Sequence, residues 1–253
     1  MKTEILYGIH SVREALSAGR RQLIELYVDP DHSASTRLRE LLETAEARGT
    51  AIREAGASQL AALAGSAAHQ GVALRATGYP FLDLAAVMDD AGPATSEPIL
   101  ALDRIVDPHN LGAVLRSALG AGVAAVLIPK DRSASPTPVV SKISAGALEH
   151  IRLIRVTNLV RSLELLKSRG RWVAGLDRHA LDTLFGTDLT LPLVLVIGGE
   201  GQGLRALVRQ TCDLMLSIPQ AGPLDSLNAS VAAAVALYEI RRQRAAARDR
   251  PGR

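Results

Sequence analysis

The feature that most constrains the fold is a buried-strand pattern that runs directly into a glycine-rich turn. Residues 193–197 are the apolar run LVLVI, and a second apolar stretch, residues 214–218, leads into residues 219–228. The glycines of the first turn are Gly198, Gly199, Gly201 and Gly203. Loops at the carboxyl ends of neighbouring parallel strands form a crevice for a small ligand in α/β proteins. The chain is therefore predicted to be an α/β protein with a ligand crevice at this end of a sheet.

Composition narrows the class of protein. The 253 residues, 47% of them hydrophobic, suffice for one large domain or two modest ones with real cores. Aromatic residues make up only 3%, which disfavours RNA recognition by stacking bases on exposed aromatics. A single cysteine, Cys212, excludes an intrachain disulfide framework and a cysteine-based metal site. Because no run has the length of a signal peptide or membrane span, we expect a cytoplasmic protein with no membrane partner.

The formal net charge of +3 is concentrated at the end of the chain. Residues 241–253 hold six arginines and one aspartate, a balance of +5, which leaves 23 basic and 25 acidic residues, or −2, in residues 1–240. The body of the protein is therefore not basic, and bulk charge alone does not indicate a nucleic-acid partner. The arginine-rich end is either a solvated tail or an arm that binds RNA phosphates.

Two domains are predicted, with a boundary in a linker rich in Pro, Gly, Asp and Ser. Residues 1–76 form a small α/β domain, residues 77–97 the linker, residues 98–244 a larger α/β domain, and residues 245–253 a basic disordered tail. A short docked helix is expected within the linker, with its apolar side formed by Leu82, Leu84, Val87 and Met88.

The apolar periodicities assign elements within each domain. In the first domain they predict helices over 11–16, 36–48 and 58–63 and strands over 23–28, 51–53 and 72–75. In the second domain they predict parallel strands over 99–102, 123–128, 152–156, 172–176, 193–197 and 214–218, with helices between them and a last helix over 227–244.

Residues 107–117 form the first cluster of chemically useful side chains. Pro108 favours an extended residue before it, and Asn110 is expected to cap the following helix. Because apolar residues recur at helical spacing from Leu111 to Ala118, Arg116 must lie off the buried stripe. Arg116 is then either a surface charge or a clamp for phosphate or carboxylate. His109 is either a general base or a merely exposed polar residue.

The glycine turn and the loop after residue 218 form the second and third clusters. Residues 201–206 formally match the dinucleotide fingerprint G-x-G-x-x-A, but only one strand and one helix follow, so the match is weak. The glycines allow the backbone to approach a ligand closely, and Glu200 can accept a hydrogen bond from a hydroxyl or amine. In the third cluster Ser226 is either a helix N-cap or a site residue beside Asn228. No HExxH, CxxC or carboxylate pair provides a metal-ligand set.

Taken together, DPHNLG at residues 107–112, IGGEGQG at residues 197–203 and the stretch from Ile218 to Asn228 resemble motifs 1, 2 and 3 of the SPOUT-class, TrmH-type RNA ribose 2′-O-methyltransferases. Within that family the chain is most similar to bacterial enzymes that methylate a guanosine ribose in the peptidyl-transferase P loop of large-subunit ribosomal RNA. The shared subfamily stretches are YGIH at 7–10, HQGV at 69–72, PKDRSA at 129–134 and LIRVTN at 153–158. The resemblance covers nearly the full length.

The resemblance implies a fold, a cofactor and partners. The second domain would be a SPOUT domain whose end is threaded into a trefoil knot, and the first an RNA-binding domain similar to ribosomal protein L30e. S-adenosylmethionine would bind in the knot, with Gly198, Gly199, Ile218, Gln220 and Leu227 as its binding residues and no metal. The enzyme would act on ribosomal RNA as a homodimer with shared active sites. Gln220 departs from the family's usual methionine, and Ala229 from its usual valine.

By the same resemblance the catalytic residues are Arg116, Asn110, Glu200, Ser226 and Asn228. Methyl transfer from a sulfonium is an in-line displacement, which depends on alignment and on a site poor in water. Because a guanidinium hardly deprotonates below pH ~12, we expect Arg116 to hold a phosphate beside the target ribose and stabilise the developing alkoxide rather than act as a base.

Three alternative functions compete with this one. A dinucleotide-dependent oxidoreductase would rest on residues 201–206 alone. A non-catalytic RNA-binding protein would not need Asn110, Arg116, Glu200 and Asn228 together. Methylation of another ribosomal RNA site or of a tRNA stays open, because target choice is set by surface shape and by the first domain.

Overall fold

The computed structural model describes residues 2–32, 35–85, 88, 97–223 and 226–248. The chain forms two compact units. The first comprises Met1–Pro80 and Ser135–His150, and the second comprises Phe81–Ala134 and Ile151–Arg253. None of the helices in the described ranges has the length and apolarity needed to cross a membrane.

The described residues include eleven strands and nine helices. They are β1 (Thr3–Tyr7), α1 (Ile9–Ala18), β2 (Leu23–Val28), α2 (Thr36–Ala47), β3 (Ala51–Glu54), α3 (Ala57–Ala64), β4 (Val72–Thr77), β5 (Ile99–Asp103), α4 (Pro108–Ala121), β6 (Ala125–Pro129), α5 (Pro138–Ile143), α6 (Ala147–His150), β7 (Leu153–Val156), α7 (Leu159–Ser168), β8 (Trp172–Leu176), β9 (Asp182–Thr183), β10 (Leu193–Gly198), α8 (Ala206–Thr211), β11 (Leu214–Ser217) and α9 (Ala229–Arg248). Two 3₁₀ turns lie at Pro30–His32 and Leu184–Gly186.

The first unit is built on a four-stranded sheet in the order β1-β4-β2-β3. β4 lies between β1 and β2 and is antiparallel to both, whereas β2 and β3 are parallel. Leu6, Leu26 and Leu74 lie on the covered face of three adjacent strands and are fully buried against α1 and α2. α1 ends at Gly19, whose φ of +61° is a left-handed conformation that glycine adopts without strain. The sheet and its helices therefore form a core of their own.

A buried ion pair attaches α6 to this sheet. Arg21 Nε lies 2.7 Å from Glu149 Oε2, and the two side chains are 0% and 1% exposed. Arg21 also donates to Glu4 at 2.8 Å, and Ser141 Oγ donates to Glu149 at 2.8 Å. Burial alone would lower the pKa of Arg21, but the carboxylates of Glu149 and Glu4 outweigh it and hold that pKa above its ordinary value. The pair is fully hydrogen-bonded, which a buried charge pair requires.

The second unit contains a seven-stranded sheet, among the described residues, in the order β7-β6-β5-β10-β8-β11-β9. All its strand pairs are parallel. β5 and β10 lie next to each other in the sheet, and their apolar residues are buried on both faces, as in parallel sheets covered by helices. On one face, residues of β5 and β10 pack with α7 and α8. Elsewhere in the unit α4 and α9 pack against each other and α9 contacts β10.

The sequence predicted most of these elements. The strands over 23–28 and 172–176 have the predicted bounds, and the predicted parallel α/β architecture of the second unit is confirmed. β1 was not predicted, because its five residues have polar ends and its partner β4 lies some 70 residues away. β9 was also missed, since it consists of two residues.

Two domain limits differ from the prediction, at residues 135–150 and at the end of the chain. Residues 135–150, placed by sequence order in the second domain, pack with the first unit, where Glu149 meets Arg21. α9 continues to Arg248, so residues 245–248 are helical rather than a disordered tail, and residues 249–253 lie outside the described residues. Of the predicted linker helix, Leu84 and Met88 are helical and pack on the core of the second unit, and Val87 lies outside the described residues. Leu82 also packs on that core, but it is not helical and forms an isolated parallel β-bridge with Ile154.

Breaking the buried pair should destabilise the first unit strongly. Glu149→Ala leaves Arg21 charged and without its main partner in the core, so we expect a loss of about 3–5 kcal/mol in the free energy of unfolding. Urea denaturation followed by circular dichroism measures it. Arg13→Ala removes an exposed ion pair, with Glu14, and should cost less than about 1 kcal/mol. Equal losses in the two variants would contradict the structural role of Glu149.

Candidate active site

A cavity of about 530 Å³ opens at the carboxyl ends of three adjacent parallel strands, β10, β8 and β11, in the second unit. Its size lies within the ~300–1,000 Å³ of small-molecule sites, and the carboxyl edge is where α/β sheets bind ligands. Its lining includes every residue that the sequence analysis assigned to the cofactor: Gly198, Gly199, Ile218, Gln220 and Leu227. The structure therefore brings the second and third motifs to one cavity.

The glycine loop is a tight turn that needs backbone without side chains. Gly203 N donates to Gly199 O at 3.1 Å, and this closes the turn on itself. A Cβ at Gly198 would lie 2.3 Å from Gly203 C and 2.5 Å from Leu204 N, which no side chain can tolerate. Gly201 and Gly203 have φ values of +78° and +62°, in the left-handed region that favours glycine. The sequence of the loop is therefore dictated by its geometry.

A buried carboxylate fixes the far end of the same loop. Asp103, at the end of β5, is fully buried. Its Oδ2 accepts from Arg205 N at 2.9 Å, and its Oδ1 accepts from Arg205 Nε at 2.7 Å. Arg205, two residues after Gly203, is thus tied to β5, the strand that leads to the first motif.

Three side chains from the three motifs meet in one hydrogen-bonded cluster, which we call the amide–carboxylate cluster: Asn110, Glu200 and Asn228. Asn110 Nδ2 donates to Glu200 Oε1 at 2.9 Å, and Asn228 Nδ2 donates to the same oxygen at 2.6 Å. Asn228 Nδ2 also lies 3.0 Å from Asn110 Oδ1. The other carboxylate oxygen, Glu200 Oε2, makes no hydrogen bond within the described residues. One oxygen is thus held by two amides, and the other is available to a hydroxyl.

Helix caps position two members of the cluster. Asp107, not Asn110 as predicted, is the N-cap of α4: its side chain accepts from His109 N at 2.9 Å, and Pro108 is the first helical residue. Asn110 therefore lies in the first turn, is 8% exposed, and is free to bind Glu200. At α9 the capping oxygen is Asn228 Oδ1, which accepts from Ser230 N at 2.9 Å. Ser226 lines the cavity instead.

Arg116 is not brought to this cavity within the single chain. It is exposed on α4, as the apolar stripe predicted, and it makes no hydrogen bond or ion pair with the described residues. Six residues along a helix correspond to a rotation of about 240°, so Arg116 points away from the side that Asn110 presents to Glu200. His109 is exposed and does not line the cavity.

One wall of the cavity is charged, and the sequence patterns did not predict it. Asp177, Arg178 and His179 follow β8 and line it, and Asp177 forms an ion pair with Arg209 of α8. Asp177 Oδ1 also accepts from His179 N at 2.8 Å. Residues 177–179 could have been found from their position directly after a predicted parallel strand, because the loops of the second and third motifs also follow such strands. Nothing in the sequence around Arg209 indicated that it would line the cavity.

Within the described residues no group of three or more His, Cys, Asp or Glu side chains is suited to hold a metal.

Two protein-family profiles match the chain, over separate stretches of the sequence. A profile described as RNA 2′-O ribose methyltransferase substrate binding matches residues 5–82. The chain belongs to the SpoU rRNA methylase family, whose profile matches residues 97–238. The resemblance seen in the three motifs is thereby confirmed.

Curated relatives match the chain over nearly its whole length. The 23S rRNA (guanosine-2′-O-)-methyltransferase RlmB of Pectobacterium atrosepticum is 42% identical, over 96% of this chain and 99% of the relative. The enzyme of the same name from Vibrio parahaemolyticus is 41% identical, over 98% of this chain and 100% of the relative. An uncharacterized tRNA/rRNA methyltransferase of Synechocystis is 42% identical over 98% of this chain, which spans only 64% of that longer protein.

Solved structures show the same fold. The SpoU methyltransferase AviRb from Streptomyces viridochromogenes superposes with a TM-score of 0.81 at 27% identity, over 97% of this chain and 91% of that one. Its complex with the cofactor AdoMet gives a TM-score of 0.80 at 28% identity, over 95% and 90% of the two chains. Both units therefore have counterparts in a methyltransferase of known structure.

Substitutions of three glycines should distinguish the close backbone approach at Gly198 from the left-handed φ at Gly201. Gly198→Ala places a Cβ against backbone atoms and should cost at least about 2–3 kcal/mol of unfolding free energy. Gly201→Ala meets no atom but keeps φ at +78°, so about 1–2 kcal/mol is expected. Gly222→Ala meets no atom and has no left-handed φ, so its cost should stay within about 0.5 kcal/mol. Urea denaturation ranks the three, and a Gly198→Ala protein as stable as Gly222→Ala would refute the loop geometry.

Proposed function

We propose that this protein transfers a methyl group from S-adenosylmethionine to the ribose 2′-hydroxyl of a guanosine in 23S ribosomal RNA. The observation that carries the proposal is the amide–carboxylate cluster, which joins the three motifs beside a glycine-lined cavity. The names of the 41–42% identical relatives supply the nucleoside and the RNA. That RNA is cytoplasmic in bacteria, and so we propose the same compartment for the enzyme.

The residues of the cavity suit S-adenosylmethionine. Apolar side chains, including Ile197, Leu216 and Ile218, line it beside glycine backbone, a combination that accommodates a flat purine. Backbone groups of Gly198, Ile218 and Leu227 are proposed to hold the adenine, with Gly199 and Gln220 beside them. Gln220 Nε2 donates to Ile218 O at 3.1 Å, so its side chain folds back onto its own loop. The departure from methionine therefore leaves the cavity open at this position.

When bound, the cofactor supplies an electrophilic methyl group on a sulfonium. The protein then has to align a ribose hydroxyl with it and exclude water. We propose that Glu200 Oε2 accepts a hydrogen bond from the 2′-hydroxyl, orients its lone pair toward the methyl group, and takes up the hydroxyl proton as the new oxygen–carbon bond forms and the carbon–sulfur bond breaks. Asn110 and Asn228 fix the carboxylate through its other oxygen, and Ser226 contacts the substrate at the cavity rim. Pre-organised polar groups of this kind are commonly the largest contribution to catalysis.

The first unit is proposed to recognise the RNA, with residues 1–76 as an L30e-like substrate-binding domain. The match of a substrate-binding profile to residues 5–82 supports this division. The second unit, from residue 98 to 244, would carry out the transfer, and we propose that its last segments pass through a trefoil knot. The loops after β8, β10 and β11 converge on one cavity, which is the region such a knot would enclose.

We also propose a homodimer that completes each active site with Arg116 of the second copy. Exposed apolar residues lie on α4 and α9, which pack side by side: Leu119, Val231 and Tyr238 are 40%, 47% and 52% exposed. Arg116 precedes Leu119 by three residues, so the two are neighbours on the same exposed side of α4. Pairing two copies through this face would cover the apolar residues and remove Arg116 from bulk water. The parallel N–H donors of its guanidinium could then bind a phosphate next to the target ribose.

The reaction is tested by incubating labelled S-adenosylmethionine with protein-free 23S ribosomal RNA and mapping the modified nucleotide. We expect a 2′-O-methylguanosine in the peptidyl-transferase P loop. Glu200→Gln should bind cofactor as the wild type does and lose about 10²-fold or more in turnover, because the amide cannot replace the anionic oxygen. Methylation of tRNA or of another ribosomal site would keep the enzyme class and replace the target. Cofactor binding with no methylation of any RNA would overturn the proposed reaction.

Complementation tests the shared active site. Arg116→Ala and Glu200→Gln should each be inactive alone. Co-expressed, they form mixed dimers in which one site has both residues intact, so about a quarter of wild-type activity should return. Analytical ultracentrifugation confirms that dimers are present. If the mixed preparation stays inactive while dimers form, Arg116 and Glu200 act within one chain and the sharing is wrong.

A further inference from the structure

Arg104 lies at the edge of the active site and has no place in the reaction described so far. It follows β5 directly, and its backbone runs against the glycine loop: a Cβ at Gly199 would lie 2.4 Å from Arg104 O and 3.5 Å from Arg104 Cβ. Gly199 is the residue before Glu200. Arg104 is therefore in contact with the loop that carries the catalytic carboxylate.

Backbone geometry does not explain why an arginine occupies this position. Its φ is +64°, a left-handed conformation that costs free energy for any residue with a Cβ and none for glycine. A glycine here would therefore relax the backbone. What arginine adds is its side chain, whose Nη1 donates to Gln202 Oε1 at 3.1 Å and thereby lies along the glycine loop.

The guanidinium is held in place but keeps unused donors. Its Nε is buried, and of its two Nη groups only Nη1 is hydrogen-bonded within the described residues, to Gln202, so Nη2 keeps its donors. The nearest acidic residue in sequence, Asp103, has both carboxylate oxygens engaged by Arg205. Within the same described part of the chain, Arg104 forms no ion pair. A guanidinium has five N–H donors, and one that is anchored, uncompensated and beside a ligand cavity is suited to bind an anion.

A neighbouring loop brings further positive charge to this edge. β5 and β6 are adjacent and parallel, and residues 130–134 follow β6 as Arg104 follows β5. Ala134 N donates to Ile105 O at 2.8 Å, which ties the two loops together. Lys130, Asp131 and Arg132 are all exposed on this loop, which leaves one positive charge in excess there, in addition to that of Arg104. The anion that meets Arg104 is therefore drawn to an edge with an excess of cations.

We propose that Arg104 binds a phosphate of the acceptor RNA strand, and that Gln202 positions its guanidinium for this contact. The assignment rests on the proposed function, because it places the target ribose at Glu200. In RNA the 3′-phosphate is attached to the carbon next to the one that bears the 2′-hydroxyl, so a phosphate must lie close to any ribose in the site. Arg104 thus contributes to RNA affinity and to the register of the strand, and it takes no part in cofactor binding.

Arg104→Gly is the decisive variant, because it removes the guanidinium and relieves the left-handed backbone. We expect KM for the RNA to rise about tenfold, which corresponds to ~1.4 kcal/mol, with kcat within about twofold and cofactor affinity unchanged. The slope of log affinity against log salt should fall by about one. Affinity is measured by fluorescence anisotropy with a labelled 23S RNA fragment that spans the peptidyl-transferase loop, and cofactor affinity by calorimetry.

Arg169→Ala is the matched control, since it removes the same charge from an exposed residue. Arg169 lies between α7 and β8, at the amino ends of the parallel strands and so at the end of the sheet opposite the cavity. This variant should leave KM and the salt slope as in the wild type. Gln202→Ala keeps the charge but frees the side chain, so a rise of about threefold in KM is expected, with no further effect when it is combined with Arg104→Gly.

The outcomes separate this assignment from the reaction itself. RNA affinity of Arg104→Gly equal to that of Arg169→Ala overturns the phosphate contact, even if methylation is normal. A fall in kcat with unchanged KM also overturns it, because it would make Arg104 part of the chemistry. If the wild-type protein binds the RNA fragment but methylates none, the proposed function fails while the anisotropy comparison still decides the role of Arg104.

Discussion

The hydrogen bonds from Asn110 and Asn228 to one oxygen of Glu200 hold together three loops that lie 28 to 118 residues apart in the sequence. Each amide is itself fixed by a helix start: Asn110 lies in the first turn of α4, and Asn228 caps α9. The position of Glu200 is therefore set by the starts of both helices. Because two donors share a single oxygen, the second oxygen keeps its acceptor capacity, and the cluster can be structural and chemical at the same time.

The cluster depends in turn on a glycine loop with no room for side chains. Gly198 lies so close to Gly203 and Leu204 that a single methyl group would displace backbone, and Gly199 is equally close to Arg104. This contact places Glu200 above the cavity and brings the end of β5 against the loop. Asp103 secures the arrangement by accepting two hydrogen bonds from Arg205. Steric exclusion and one buried carboxylate thus determine where the cavity lies, and the apolar strands beneath provide the rigid support.

The first unit shows how a buried charge pair can determine chain organisation. Residues 135–150 come from the middle of the segment that forms the methyltransferase sheet, yet they belong to the first unit, where Glu149 meets Arg21 in a site with almost no solvent exposure. An unpaired charge on the buried Arg21 would cost far more free energy than the chain crossing that brings Glu149 to it. The chain therefore crosses between the units more than once, and the substrate-binding and methyltransferase parts are not simply consecutive in sequence.

The sequence by itself determined the strand and helix periods, the parallel sheet, the glycine loop and the family motifs, because burial on both faces and left-handed turns leave unmistakable residue patterns. It placed Asn110, Glu200, Ser226 and Asn228 among the site residues, but it assigned the cap of α4 to Asn110, where Asp107 serves. Only the tertiary structure could show that Arg116 points away from its own cavity, that Asp177 and Arg209 form one wall of it, and that Glu149 packs with the first unit. Those facts depend on which distant side chains meet, and no local pattern records the partner of an ion pair.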